Sequence, residues 1–130
     1  MKLQLLAALA VAATATPVLA QVPDSLPPGV TAAMIEQGNK LFHGQAICHT
    51  CHGEDAKGLP GLGVNLTDNV WLHSDGSYDA IVKQIDTGVP ANESKSGIVM
   101  PPKGGSGITD AQVRAVAAYV WSLSHVSKKG

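Results

Sequence analysis

The stretch Cys48-His49-Thr50-Cys51-His52 decides what kind of fold this 130-residue chain adopts. Cys-x-x-Cys-His is the attachment signature of c-type haem. Cys48 and Cys51 are three residues apart, so one helical turn places both thiols where they can form thioethers to two vinyl groups. His52 follows directly and reaches the iron as its proximal ligand. The motif therefore predicts one covalently attached haem c per chain.

Three other kinds of site could use two cysteines at this spacing. A structural disulfide between them would close a very short loop. A thioredoxin-like redox pair is expected beside a βαβ pattern, and the sequence has no strand-rich segment. A zinc site needs two more ligands at suitable spacing, and the chain has no second cysteine pair. His49 occupies a variable position of the motif and is expected to face solvent rather than bind metal.

The second axial ligand is sought beyond the motif, and Met100 is the candidate. It lies in a glycine-rich loop, and two prolines follow it directly. Proline fixes the backbone, and a rigid loop suits the weak bond between iron and a thioether. We therefore expect His52/Met100 coordination, which raises the potential of haem iron. The alternative is that Met100 fills a gap in the core. Three histidines are rival ligands: His43, His73 and His125. Of these, His73 is the best placed.

The first twenty residues have the composition of a secretory signal peptide. Lys2 supplies positive charge, residues 3–13 are almost wholly apolar, and Ala20 ends a small-residue cleavage pattern. The apolar run is shorter than the roughly 18–20 residues that a membrane span needs. We expect residues 1–20 to be removed on export and the mature protein to be soluble and periplasmic. The alternative is an N-terminal membrane anchor.

Composition and charge exclude some classes of function. The formal net charge is −1, without the clustered Lys and Arg that nucleic-acid binding needs. The hydrophobic fraction of 45% is enough for a packed core, and the length allows one domain. Lys57, Lys95 and Lys103 flank the loops near the motifs. They could steer a partner, or be ordinary solvated side chains.

Helical patterning predicts an all-α domain over residues 31–130, after a Pro-rich, extended arm over residues 21–30. Thr31 is expected to cap a first helix that ends at about Phe42 or His43.

Later helix starts are also marked by polar caps. Thr67 is expected to cap a short turn, and Ser77 a helix that ends before Gly88. Thr109 and Gln112 form a capping-box pair ahead of the last helix. The long Gly- and Pro-rich loops between these helices need something to pack against, and a cofactor is the economical explanation.

With these residues in place, the chain resembles the monohaem class I c-type cytochromes of bacteria over roughly residues 33–124. It is similar to the compact cytochrome c domains of oxidase and dehydrogenase haem subunits. The resemblance rests on these stretches: Gly-Asn-Lys-Leu-Phe at 38–42, Cys-His-Thr-Cys-His-Gly at 48–53, Asn-Leu-Thr-Asp at 65–68, Trp-Leu at 71–72, Val-Met-Pro at 99–101 and Ala-Ala-Tyr-Val-Trp at 117–121.

The resemblance implies a cytochrome c fold, with three to five helices and long loops around one haem. It implies that the first and last helices cross near Gly38, Phe42 and Tyr119, and that Gly38 lets the two backbones approach. It also implies that Trp71 lies near the haem edge, although a plain core tryptophan is equally compatible.

One position departs from the resemblance. Many relatives carry proline where this chain has Val64, in the region whose carbonyl accepts the proximal histidine's N–H. Such an outer acceptor fixes the tautomer and basicity of the ligand. Since Pro60 lies four residues earlier, we expect a carbonyl from residues 59–63 to accept the His52 N–H.

The predicted function is one-electron transfer, not catalysis, by a periplasmic carrier that is expected to be a monomer. Its partners would be a periplasmic dehydrogenase, oxidase or reductase. One alternative is a dedicated haem subunit of a dehydrogenase or terminal oxidase complex. Another is a haem-based sensor or peroxidase with an open distal face.

Overall fold

Four α-helices and one 3₁₀ turn make up the regular structure of residues 25–125, the part of the chain that the computed structural model describes. They are α1 (Ala32–Phe42), α2 (His49–His52), α3 (Tyr78–Thr87), the 3₁₀ turn Pro102–Gly105 and α4 (Asp110–His125). The predicted all-α class is confirmed. The predicted signal peptide over residues 1–20 lies outside the described residues, as do residues 21–24 and 126–130.

The starts of α1, α3 and α4 are capped as predicted. Thr31 Oγ1 accepts a hydrogen bond from the backbone N–H three residues on, at 3.2 Å, and Ser77 Oγ does the same at 3.4 Å. Thr109 N–H donates to Gln112 Oε1 at 2.9 Å, and Gln112 N–H donates to Thr109 Oγ1 at 3.3 Å. These bonds satisfy N–H groups that the first helical turn leaves without partners.

The crossing of α1 and α4 confirms the close approach predicted at Gly38. A Cβ at Gly38 would overlap the carbonyl of Ala115 and lie 2.8 Å from Tyr119 Cβ, so only glycine fits there. The rings of Phe42 and Tyr119 pack edge to face, with centroids 5.3 Å apart. Helix α3 closes the core, whose main apolar side chains are Leu41, Phe42, Ile81, Ile85, Ile108, Val113, Val116, Val120 and Trp121.

Two local predictions about loops are wrong. Asn65 Oδ1 accepts hydrogen bonds from both the N–H and the hydroxyl of Thr67, each at 2.8 Å, so Thr67 is a donor in an Asx turn and does not cap the short turn that follows it. The second half of the arm is also not extended. Val30 N–H donates to Pro27 O at 3.0 Å in a turn, and Leu26 packs against the core.

Within residues 25–125, none of the helices combines the length and the hydropathy that crossing a membrane requires.

Candidate functional site

A cavity lies between the Cys48–His52 motif, α3 and the loop that carries Met100. Its open space, including space continuous with solvent, is about 990 Å³. Cys48, Cys51, His52 and Met100 all line it. The structure therefore brings together the four residues that the sequence predicts to bind the cofactor. Most of the remaining wall is apolar, including Phe42, Ile81, Ile85, Val89, Val116 and Val120.

The two cysteines belong to the same helical turn. Cys48 precedes α2, and its carbonyl accepts the His52 N–H at 3.0 Å. Positions three apart on a helical turn face the same way, so Cys48 and Cys51 share one side. Both are free thiols, which removes the disulfide alternative. Burial raises the pKa of the Cys48 thiol to about 11 before a thioether forms.

The His52 ring is held by a backbone carbonyl. Its Nδ1–H donates to Val64 O at 2.8 Å, which leaves Nε2 as the nitrogen that can bind a metal. Burial lowers the pKa of His52, and the hydrogen bond to Val64 opposes this shift. The ring is therefore neutral at neutral pH, which is the form that ligates metals. The prediction that a carbonyl of residues 59–63 is the acceptor is wrong by one residue.

The reason lies in the turn that precedes Val64. Leu59 and Gly63 pair with each other: Leu59 N–H donates to Gly63 O at 3.2 Å, and Gly63 N–H donates to Leu59 O at 3.1 Å. This turn lies directly on the motif, because a Cβ at Gly63 would overlap the Cys51 carbonyl. The carbonyls at both ends of the turn are thus already engaged, and residues 60–62 between them are exposed, so Val64 is the next residue to present a carbonyl to the partly buried ring.

Met100 is fixed by its backbone and by the residues after it. Val89 N–H donates to Met100 O at 2.8 Å and Met100 N–H donates to Val89 O at 3.0 Å. Lys103 forms ion pairs with Asp110 at 2.9 Å and with Asp86 at 3.5 Å, which tie the loop to α4 and α3. The loop is therefore held by hydrogen bonds and charges as well as by its two prolines, and the Lys103 ammonium is engaged within the chain.

The rival ligands are placed less favourably than Met100. His73 lines the cavity, but its Nε2 accepts a hydrogen bond from Lys95 N–H at 2.9 Å. His125 stacks on Trp121 at the end of α4, with ring centroids 4.1 Å apart.

His43 and His49 form a separate cluster with Glu54. His43 Nδ1 lies 2.9 Å from Asn39 O and its Nε2 lies 2.9 Å from Glu54 O. Because only an imidazolium donates from both nitrogens, these contacts favour the charged form, and the bond to Glu54 is the main cause of the raised pKa of His43. His49 Nδ1 lies 3.0 Å from Phe42 O and the side chain is 24% exposed, so His49 is partly buried instead of facing solvent as predicted.

Trp71 and Gln84 complete the wall of the cavity. Trp71 lines it, as the resemblance implies for a residue near the haem edge, and Gly76 packs against the indole. Gln84 also lines the cavity and was missed by the sequence reasoning. Its position between two buried isoleucines of α3, Ile81 and Ile85, is the signal that could have identified it.

A mostly helical fold whose loops enclose an apolar cavity lined by Cys-x-x-Cys-His and a methionine defines a c-type cytochrome. The thiols, the imidazole and the thioether fit haem c, whose vinyl groups and iron need these groups. The family model of cytochrome c oxidase, cbb3-type, subunit III, matches residues 23–120, and the chain belongs to that family. The protein is an electron carrier with covalently bound haem c, and the predicted resemblance is confirmed.

Two curated relatives illustrate the similarity. The chain is 36% identical over 83 residues to the cbb3-type cytochrome c oxidase subunit CcoP of Rubrivivax gelatinosus, covering 63% of this chain and 24% of the relative. It is 36% identical over 97 residues to the subunit FixP of Azorhizobium caulinodans, covering 74% of this chain and 29% of the relative. The chain thus spans about a quarter of the length of these relatives.

Solved structures support the fold. Cytochrome cL of Methylophaga aminisulfidivorans matches with a TM-score of 0.53 at 23% identity, covering 70% of this chain and 53% of that one. The c-type cytochrome XoxG of Methylobacterium extorquens AM1 matches with a TM-score of 0.52 at 21% identity, covering 72% of this chain and 52% of that one.

Proposed function

We propose that the chain is an exported one-electron carrier of the periplasm, in which Cys48 and Cys51 hold the haem through thioethers and His52 and Met100 are the axial ligands. The observation that carries the proposal is the convergence of two free thiols, a neutral imidazole and a thioether on one cavity. When bound, haem c supplies an iron that gains or loses one electron. With both axial positions held by the chain, no position is left for a substrate, so we expect a carrier and not an enzyme.

The residues around the site tune the potential in opposite directions. The apolar wall stabilises the state with the smaller charge at the metal, which is the reduced one. The hydrogen bond from His52 to Val64 O acts against this, because it makes the imidazole a more basic ligand.

The relatives are named as subunits of cbb3-type oxidases, which favours a second candidate function: electron transfer as a haem subunit within such an oxidase. A free carrier docks transiently through a small interface, whereas a subunit keeps a larger and stable one. The predicted signal peptide over residues 1–20 favours the free, exported carrier. Purification from the native membrane and periplasmic fractions at physiological salt separates the two: a carrier elutes alone as a monomer, and a subunit co-elutes with the oxidase.

Optical spectra with carbon monoxide test the proposed coordination. We expect sharp reduced bands that carbon monoxide does not shift in the wild-type protein. Met100→Ala should open the site and allow a clear shift, whereas Met34→Ala, on α1, should behave as wild type. A carbon monoxide shift in the wild-type protein would contradict the carrier proposal and favour the alternative of a ligand sensor or peroxidase.

A further inference from the structure

Gln84 is a polar residue in an otherwise apolar face of α3. Ile81 and Ile85, three residues before and one after it, are 3% and 7% exposed. All three side chains line the haem cavity. Within residues 25–125, the buried Oε1 of Gln84 has no hydrogen-bond partner. Buried polar atoms normally have a partner, because leaving one without a partner is destabilising. The missing partner of Gln84 is therefore to be sought in the cavity that it lines.

The position of Gln84 on α3 places it beside the segment that carries Met100. Gly88 lies four residues later and therefore on the same side of the helix. A Cβ at Gly88 would overlap Met100 O and lie 2.8 Å from the carbonyl carbon of Pro101, so the end of α3 rests directly on that segment. Gln84 is one helical turn back from this contact, and both Gln84 and Met100 line the same cavity.

The chemistry of the two side chains decides which end of the amide faces the site. A thioether has no proton to donate, so it cannot satisfy the amide oxygen, but its sulfur is a weak acceptor. The two ends of a primary amide have nearly the same shape, so a half-turn of the terminal group exchanges them. The half-turn puts the NH₂ group of Gln84 where Oε1 lies.

We propose that Gln84 is a positioning and potential-tuning residue, whose amide N–H is directed at Met100 on the distal side of the loaded site. The inference rests on the proposed axial role of Met100. An N–H dipole with its positive end toward the ligand disfavours the oxidised state, which carries the larger positive charge. Gln84 therefore raises the reduction potential and restrains the Met100 side chain.

The test is a redox titration of the holoprotein with Gln84→Leu, which keeps a similar volume and removes the donor. The matched control is Gln37→Leu, on the exposed face of α1. At a fixed ambient potential, we expect Gln84→Leu to lower the ratio of reduced to oxidised protein about fivefold, the scale of one hydrogen bond. That ratio corresponds to a fall of about 40 mV for one electron, at about 59 mV per tenfold change. The methionine–iron charge-transfer band of the oxidised protein should also change, while Gln37→Leu should match the wild type in both measurements.

Three results would overturn the inference. An unchanged potential would mean that Gln84 only fills space, since a purely structural role destabilises both redox states equally. A higher potential would mean that the amide oxygen faces the site. An equal fall in Gln37→Leu would mean that the effect is not local. The Met100→Ala variant separates failure of this inference from failure of the proposed function. If Met100→Ala alters the charge-transfer band, Met100 is an axial ligand and only the role of Gln84 fails. If Met100→Ala leaves the band unchanged, the axial role of Met100 fails and the inference fails with it.

Discussion

His52 Nδ1 and the carbonyl oxygen of Val64 lie 2.8 Å apart, and this hydrogen bond connects the haem-binding motif to the loop that follows it. The bond fixes the tautomer of His52, because the proton is on Nδ1 and Nε2 is left as the nitrogen proposed to bind the iron. The loop reaches this position because Gly63 packs directly on the backbone of Cys51. The orientation of the proposed proximal ligand therefore depends on a glycine that lies outside the motif.

Gly63→Ala should raise the reduction potential. The added methyl group overlaps the Cys51 carbonyl and pushes the loop away, which weakens the hydrogen bond from His52 to Val64 O. A less basic imidazole stabilises the oxidised state less well. Loss of one hydrogen bond, about 1 kcal/mol, corresponds to about 40 mV at 2.3 kcal/mol per 100 mV. Redox titration measures the change, with Gly107→Ala as the control in open space. A potential equal to that of the control would show that the loop does not set the basicity of His52.

Gly38→Ala should destabilise the fold where α1 crosses α4. The new Cβ overlaps the carbonyl of Ala115, which is backbone and cannot move aside as a flexible side chain can. We expect the free energy of unfolding to fall by about 3 kcal/mol, at the upper end of typical overpacking costs. Urea denaturation measures it. Gly107→Ala, with nothing within 4 Å of the added Cβ, should stay within about 0.5 kcal/mol of wild type. Equal stability of the two variants would contradict the close helix crossing.

The cluster of His43, His49 and Glu54 predicts a pH dependence of stability. Hydrogen bonds from His43 to Glu54 O and Asn39 O raise its pKa above the ordinary 6.5. Because the folded-state pKa is the raised one, the stabilisation is fully present below about pH 6.5 and is lost as pH rises through the folded-state value. We expect His43→Gln to remove a pH-dependent contribution of about 1 kcal/mol.

Urea denaturation of the holoprotein at a series of pH values checks this prediction. The difference in unfolding free energy between wild type and His43→Gln should be largest at low pH and shrink as the pH rises. His49→Gln keeps the two carbonyl contacts of His43 and should therefore preserve the dependence. Curves for wild type and His43→Gln that stay parallel from acid to alkaline pH would refute the role of His43.

Features that depend on neighbours in sequence could be predicted well. The caps at Thr31, Ser77 and Thr109 act over three residues, so the sequence alone indicates them. Gly38 could be placed because the resemblance supplied the helix that crosses it. The four predicted cofactor-binding residues could be chosen by residue type and spacing, and the fold brings them to one cavity.

Features that depend on the path of a loop could not be predicted. The acceptor for the His52 N–H is Val64 and not a residue of 59–63, because the N–H groups of Leu59 and Gly63 bond to each other's carbonyls. This pairing has no sequence signature. His49 turns inward because the end of α1 leaves the Phe42 carbonyl without an intrahelical partner. The sequence marks Gln84 only by its apolar neighbours on α3, and its place in the cavity wall becomes visible once α3 is oriented against the cavity.

The most direct test of the account is proton–carbon NMR of the reduced holoprotein labelled at the methionine methyl groups. A methyl group bonded through sulfur to haem iron lies over the ring and resonates far upfield of ordinary methionine methyls. We predict one such signal, lost in Met100→Ala and retained in Met34→Ala. Absence of an upfield methyl signal, or its survival in Met100→Ala, would contradict Met100 as the axial ligand and with it the closed electron-transfer site.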